Sequence, residues 1–222
     1  MRAGNHEENK MSSHRVMCLV AGSIVFACGL STAGASLIPI VNPGFEDPAT
    51  QTFTVGSAPG WSISGNSGGV WNINATPLGV WTVPAPEGNQ IGWLSRADGS
   101  GAAAMTQTLS DVLAPNTSYT LSGFVGHPAG SSTAVYGVTL FAGGNPVATM
   151  SGSGPNGSFQ AFSLSFDSTG SSFVGQTLAI QLFSDRPQTG FDDIRLEAIL
   201  IPTPGAATLI GLGGLMVGRR RR

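Results

Sequence analysis

Between residues 36 and 201, apolar and polar positions alternate in short runs. Tyr119, Leu121, Gly123 and Val125 interleave with Thr120, Ser122 and Phe124, and Leu178, Ile180 and Leu182 interleave with Ala179 and Gln181. A period of two sends alternate side chains to opposite faces of an extended strand, so one face meets a core. The same texture predicts strands over 37–41, 61–64, 70–74, 90–95, 104–109, 118–126, 135–141, 146–151, 159–167, 177–183 and 191–199. Gly143-Gly144 lies between two such runs and signals a tight hairpin. No stretch of this window carries a helical repeat of useful length. Short strands at such close spacing predict an all-β sandwich or barrel.

The two ends have a different pattern. His14 and Arg15 precede a continuous apolar run from Val16 to Leu30, and Ala33-Gly34-Ala35 follows as a small-x-small cleavage site. That order predicts a signal peptide over 1–35, with cleavage by signal peptidase at Ala33 and Ala35. Residues 1–10 are polar and precede Met11, which is an alternative start. Val25-Phe26-Ala27-Cys28 loosely resembles a lipobox and makes lipid attachment at Cys28 the rival outcome. At the other end, Pro202-Thr203-Pro204-Gly205 breaks the chain, 206–218 is apolar, and Arg219 to Arg222 follow. Thirteen residues of helix span roughly 20 Å, short of the ~30 Å hydrocarbon core.

Composition narrows the chemistry of the middle. Of 222 residues, 32 are Gly and 14 Pro, while only 10% are charged, against roughly 25% in ordinary soluble domains. Within 36–201 only Arg96, Arg186 and Arg195 are basic, facing ten Asp and Glu, a formal net charge of −7. Such a body has no electrostatic footprint for phosphate backbones, which excludes nucleic acid as an expected partner. Both cysteines, Cys18 and Cys28, lie before this window, so it holds no disulfide, thiolate nucleophile or zinc–thiolate site.

The C-terminal segment 202–222 resembles the PEP-CTERM sorting signal of exported bacterial proteins: a Pro-rich tripeptide, a short apolar helix and an arginine cluster. That resemblance implies handling by an exosortase-type transpeptidase at Pro202, Thr203 and Pro204. It also implies an inner-membrane-anchored intermediate that ends at the cell surface or extracellular matrix. Thr203 stands where the family usually has Glu, as in planctomycete-like variants. A plain membrane anchor is the alternative.

The body resembles the galactose-binding-like jelly rolls of carbohydrate-binding modules. Asn42-Pro43-Gly44-Phe45-Glu46 near its start and Phe191-Asp192-Asp193-Ile194 near its end look like the bracketing motifs of that group. Gly88-Asn89-Gln90, Thr117-Ser118-Tyr119-Thr120 and Gly175-Gln176-Thr177-Leu178 come between them in the matching order. The resemblance implies a jelly-roll β-sandwich over 36–201, flanked by a signal helix and a short C-terminal apolar helix. It further implies a structural calcium held by Glu46 and Asp192, with Asp193 as the lesser partner. Calcium takes hard oxygen ligands in flexible geometry, which suits such carboxylates.

Catalysis is hard to assemble from this inventory. His127 is the lone histidine of the body and reads as a loop residue. Gly65-Asn66-Ser67-Gly68-Gly69 matches a nucleophile elbow only in letters, because no strand-to-helix turn surrounds it. Gly152 to Gly157 matches a dinucleotide fingerprint but lacks the helix that would follow. Trp61, Trp71, Trp81 and Trp93 fall within 33 residues. Trp61 and Trp93 read as core, whereas Trp71 and Trp81 flank the polar stretch of Asn72, Asn74 and Thr76 and read as a sugar-binding face. The expectation is an exported, non-enzymatic, glycan-binding surface protein with an extracellular polysaccharide as partner. A structural surface protein without a ligand, or a secreted glycoside hydrolase, are the alternatives.

Overall fold

In the computed structural model, residues 34–65, 67–75, 79–95, 103–131, 135–185 and 188–202 are described. Most of the signal segment, with Ala33, and most of the tail, with Thr203 and Pro204, lie outside them, as do Thr76, Arg96 and Arg186. Eleven strands form: β1 (Ser36–Ile38), β2 (Ser62–Ser64), β3 (Ser67–Asn72), β4 (Gln90–Ser95), β5 (Ala103–Val112), β6 (Thr117–Gly126), β7 (Val135–Ala142), β8 (Asn145–Ser153), β9 (Phe159–Asp167), β10 (Thr177–Ser184) and β11 (Thr189–Leu200). Each predicted run has its strand, and β4 and β9 carry the predicted bounds. The fold is the expected all-β sandwich of jelly-roll type.

The strands divide into two antiparallel sheets, β3-β4-β11-β6-β9 and β2-β5-β10-β7-β8. Strand β11 is long enough to take two partners along one edge: β4 pairs with its first residues, and β1 pairs with Leu196, Glu197 and Ala198 further on. Gly143 and Gly144, both at positive φ, close the β7–β8 hairpin. The left-handed backbone that a two-residue hairpin loop needs is open to glycine without a Cβ clash.

Between the sheets lies the main core. Leu178, Ile180 and Leu182 of β10, Leu121 and Val125 of β6, and Phe191 and Leu196 of β11 meet there, all buried. Phe45 joins them with its ring 5.3 Å from that of Trp61. Gly92 of β4 leaves the space Phe45 fills; a Cβ at this position would lie 2.6–2.7 Å from three ring atoms.

A second apolar cluster covers the outer face of the first sheet. Trp71, Ile73, Ala85, Ile91 and Trp93 form it, with Val80, Trp81 and Phe159 packed against them. Strand β4 is therefore buried on both faces throughout, although a strand in an antiparallel sheet commonly keeps one face wet. That second cluster positions the site.

Candidate functional site

The outer face of β3, β4 and the start of β11 can be built row by row from the registers. Ser67 pairs with Ser95, Gly69 with Trp93, and Trp71 with Ile91. Across the other edge of β4, Gly190 pairs with Trp93 and Thr189 with Leu94. Gln188 immediately precedes the last of these pairs and lies near Ser95. Period two then places Ser67, Trp71, Trp93 and Ser95 on one face.

Residues 52–56 extend this face beyond β3. Thr54 N–H donates to Val70 O, Gly56 N–H to Gly68 O and Asn72 N–H to Thr52 O, each at 2.7 Å. Phe53 is thereby held opposite Trp71 and stays 53% exposed, its ring 6.0 Å from that of Trp93 in an edge-on arrangement. Trp71 meets Trp81 edge-on at 6.1 Å, and Trp81 stacks on Phe159 at 4.4 Å with the rings nearly parallel.

Together these groups enclose a pocket of about 350 Å³. Phe53, Trp71, Trp93 and Val80 form its apolar walls, and Ser67, Ser95 and Gln188 supply its polar groups. None of these seven side chains is ionisable. A concave, aromatic-walled space with a few neutral polar groups is the usual form of a small-molecule site.

The indole N–H groups sort the four tryptophans. Trp61 Nε1–H donates to Asn42 O at 3.2 Å and Trp93 Nε1–H to Thr54 O at 3.1 Å. Those of Trp71 and Trp81 are buried without a partner. Trp61 is core, as its sequence context implies. Trp93 is buried too, but it also walls the pocket. Trp71 lines the pocket, and Trp81 packs beside Trp71 against Phe159. Phe53 and Gln188 escaped sequence reasoning: Phe53 sits in a stretch with no strand pattern, and Gln188 falls between the predicted strands 177–183 and 191–199 in no motif at all.

The predicted metal residues meet around one turn. Glu46 Oε1 accepts the N–H groups of Asn89 and Gln90, both at 2.7 Å. Asp192 Oδ2 accepts Glu87 N–H at 2.8 Å, and its Oδ1 accepts Asp193 N–H at 2.7 Å. The first and last motifs thus grip the same 87–90 turn from two sides. Glu87, absent from the sequence-based set, adjoins Gly44 together with Asp192. Burial pushes the Asp192 carboxyl up to about 8, with the charges of Glu87 and Asp193 adding to the rise against its backbone hydrogen bonds. Asp193 turns away: at φ 50 in a bulge of β11, its carboxylate accepts Arg195 Nε–H at 2.8 Å near solvent. Among the described residues no three His, Cys, Asp or Glu side chains converge.

His127 lies buried at the end of β6, with Nδ1 3.1 Å from Ser131 Oγ and 3.2 Å from Pro128 O. It is a packed strand-end residue rather than an open loop one.

The outer sheet face of a jelly-roll β-sandwich thus carries an aromatic-walled pocket that is open to solvent on one side. The family model for HpiC1-like proteins, described as HpiC1 cyclase, matches residues 36–197, and the chain belongs to that family. The crystal structure of an apo-form cyclase from Fischerella sp. is similar at 29% identity, covering 78% of this chain and 100% of that one, with a TM-score of 0.68. A Stig cyclase from Fischerella sp. TAU, in complex with (3Z)-3-(1-methyl-2-pyrrolidinylidene)-3H-indole, is similar at 29% identity over 76% of this chain and 100% of that one, TM-score 0.69. The xylan-binding CBM22-1 domain from Paenibacillus barcinonensis shares the fold at 16% identity, 78% and 100% coverage and TM-score 0.50. No curated protein matches the sequence.

These likenesses correct the functional expectation. The chain belongs to a cyclase family, so a non-enzymatic function, glycan-binding or purely structural, and glycoside hydrolysis give way. The error has a physical origin: the carbohydrate-binding modules and the cyclases share one sandwich, and the bracketing motifs report the sandwich. Aromatic rings near a polar stretch suit a sugar or an apolar heterocycle equally until their enclosure is seen.

Proposed function

We propose that the protein is a cyclase acting on a small, largely apolar aromatic substrate of indole type within the Phe53–Trp71–Trp93 pocket. The observation that carries this reading is a pocket of about 350 Å³ walled by three aromatic rings on a chain of the HpiC1-like family. Two of the similar cyclases were solved with indole compounds, one of them 4-(1H-indol-3-yl)butan-2-one.

The pocket's described lining residues carry no ionisable group, and what they offer a substrate is shape and polarisability. Enclosure holds the reacting ends of a flexible substrate together, the orientation effect that can remove about 7–11 kcal/mol of barrier at its best. A proton taken up from solvent and lost again after ring closure leaves the mass unchanged, and ring faces attract the cation that exists between those two events, by about 2 kcal/mol when desolvated. An intramolecular ring closure of this kind conserves mass. Incubation with an indole carrying an unsaturated side chain should yield a product of equal mass and new retention time. Trp93→Ala should slow its formation at least tenfold, and no mass-neutral product from such indoles would refute the reading.

Calcium at the 87–90 turn belongs to the same proposal. Asp192, buried beside Glu87, is a carboxylate that a cation would relieve, and Glu46 approaches the same turn. With fewer than three acidic side chains converging among the described residues, backbone carbonyls would complete the shell, which calcium accepts. Bound there, it would brace the first and last strands.

Export and sorting are proposed as well. Cleavage after Ala35 would leave β1 whole, because that strand starts at Ser36. The last strand ends at Leu200, so processing near Pro202 would also spare the sandwich. Both features support a domain delivered by signal peptidase and an exosortase-type enzyme to the cell surface or matrix.

A further inference from the structure

We infer that Ser67, Ser95 and Gln188 form a neutral hydrogen-bonding row that accepts an N–H edge of the substrate and so sets which end of its aromatic body enters the pocket. The inference rests on the cyclase reading and adds a specificity determinant to it.

The register makes the row. Ser67 and Ser95 are direct partners across β3 and β4, and Gln188 follows on the far side of Ser95, one residue before the Thr189–Leu94 pair. Ser67 and Ser95 therefore sit on neighbouring strands about 4.8 Å apart, and Gln188, just before β11, lines the same pocket. The next row inward is Gly69, Trp93 and Gly190, so the polar row borders the aromatic floor. A planar bicycle lying on Trp93 would present its edge to it.

Among the described residues, nothing occupies the three side chains. Buried amides elsewhere in the fold are closed on backbone: Gln90 Oε1 accepts Thr50 N–H while its Nε2 donates to Phe45 O and Pro48 O. Gln107 Oε1 and Nε2 likewise take both sides of the Val41 backbone. Among the described residues, no such bond engages the side chains of Ser67, Ser95 or Gln188, although Ser95 is buried. Gln188 is, besides, held at φ 59, a left-handed backbone that a glutamine rarely adopts. Residues kept in such conformations concentrate where a ligand is clamped.

The row is also uncharged, in a body rich in carboxylates. Desolvating an ion against neutral partners is unfavourable, so the row selects a neutral polar edge. Hydroxyl oxygens and the Gln188 carbonyl oxygen all accept, which matches a heteroaromatic N–H.

The test compares indole with benzofuran, which keeps the shape but replaces N–H by oxygen. Ligand-observed NMR titration of the full chain should show indole binding about fivefold or more tighter. Gln188→Met and, separately, Ser95→Ala should lower indole affinity toward that of benzofuran and leave benzofuran unchanged. Equal binding of the two probes by the unaltered protein would overturn the row while the aromatic pocket stands. Variants that weaken both probes alike would also overturn it, since they would report shape alone. Failure of both probes to bind would overturn the pocket reading and the row together.

Discussion

The unequal hydrogen bonding of Trp71 and Trp93 allows a paired measurement on the pocket walls. Both lie on the same sheet face and are equally buried, 6% and 7% exposed. Trp→Phe removes the same atoms from each, and at about 24 cal/mol per Å³ a residual void of roughly 40 Å³ costs about 1 kcal/mol at either position. The hydrogen-bond contributions have opposite signs. Trp93→Phe loses the 3.1 Å bond to Thr54 O, about 0.5–1.5 kcal/mol net. Trp71→Phe removes a buried donor with no partner, whose burial costs about 1–3 kcal/mol. Trp93→Phe should therefore destabilise by about 2 kcal/mol, and Trp71→Phe should leave the protein about 0–2 kcal/mol more stable than the parent. Urea unfolding followed by far-ultraviolet circular dichroism reads both, provided the slopes agree. Equal losses, or a larger loss for Trp71→Phe, would refute the reasoning.

Two further outcomes follow from the core and the turn. Gly92→Ala should destabilise by about 3 kcal/mol in the same unfolding assay, since its methyl would meet the Phe45 ring within the main core; a neutral variant would show that Phe45 moves freely. Calcium at 100 times its Kd should stabilise the protein by about 2.7 kcal/mol, and Glu46→Ala or Asp192→Asn should remove the response; a melting temperature indifferent to chelator in the parent would dismiss the ion. In calcium-free protein the folded chain holds the Asp192 proton more tightly than the unfolded chain, with its carboxyl raised from 3.8 to about 8. The stability this proton supplies is complete below about pH 4 and is lost as the pH rises through about 8, a slope that Asp192→Asn should flatten.

Local pattern determined most of the architecture. Strict alternation in 118–126 and 177–183 can be satisfied only by strands with one buried face, and β6 and β10 formed there. Glycine pairs and proline breaks set where strands turn, because those residues alone change what the backbone can do. The motif at 42–46 and that at 191–194 also announced that the chain's first and last segments would meet, and both close on the 87–90 turn.

Chirality and register across strands decided the site. No local signal in Phe53 or Gln188 reveals that one lies over Trp71 and the other beside Ser95, since those neighbours are 18 and 93 positions away. Asp192 and Asp193 are adjacent and chemically identical. Only the bulge in β11 buries the first beneath Glu87 and turns the second to Arg195. The four tryptophans likewise share one chemistry, and their roles diverged through which carbonyl each N–H reached and which face of a sheet each ring covered. Sequence specifies the period of a strand; the pairing of strands distant along the chain, driven by burial of two apolar faces on one sheet, specifies the pocket.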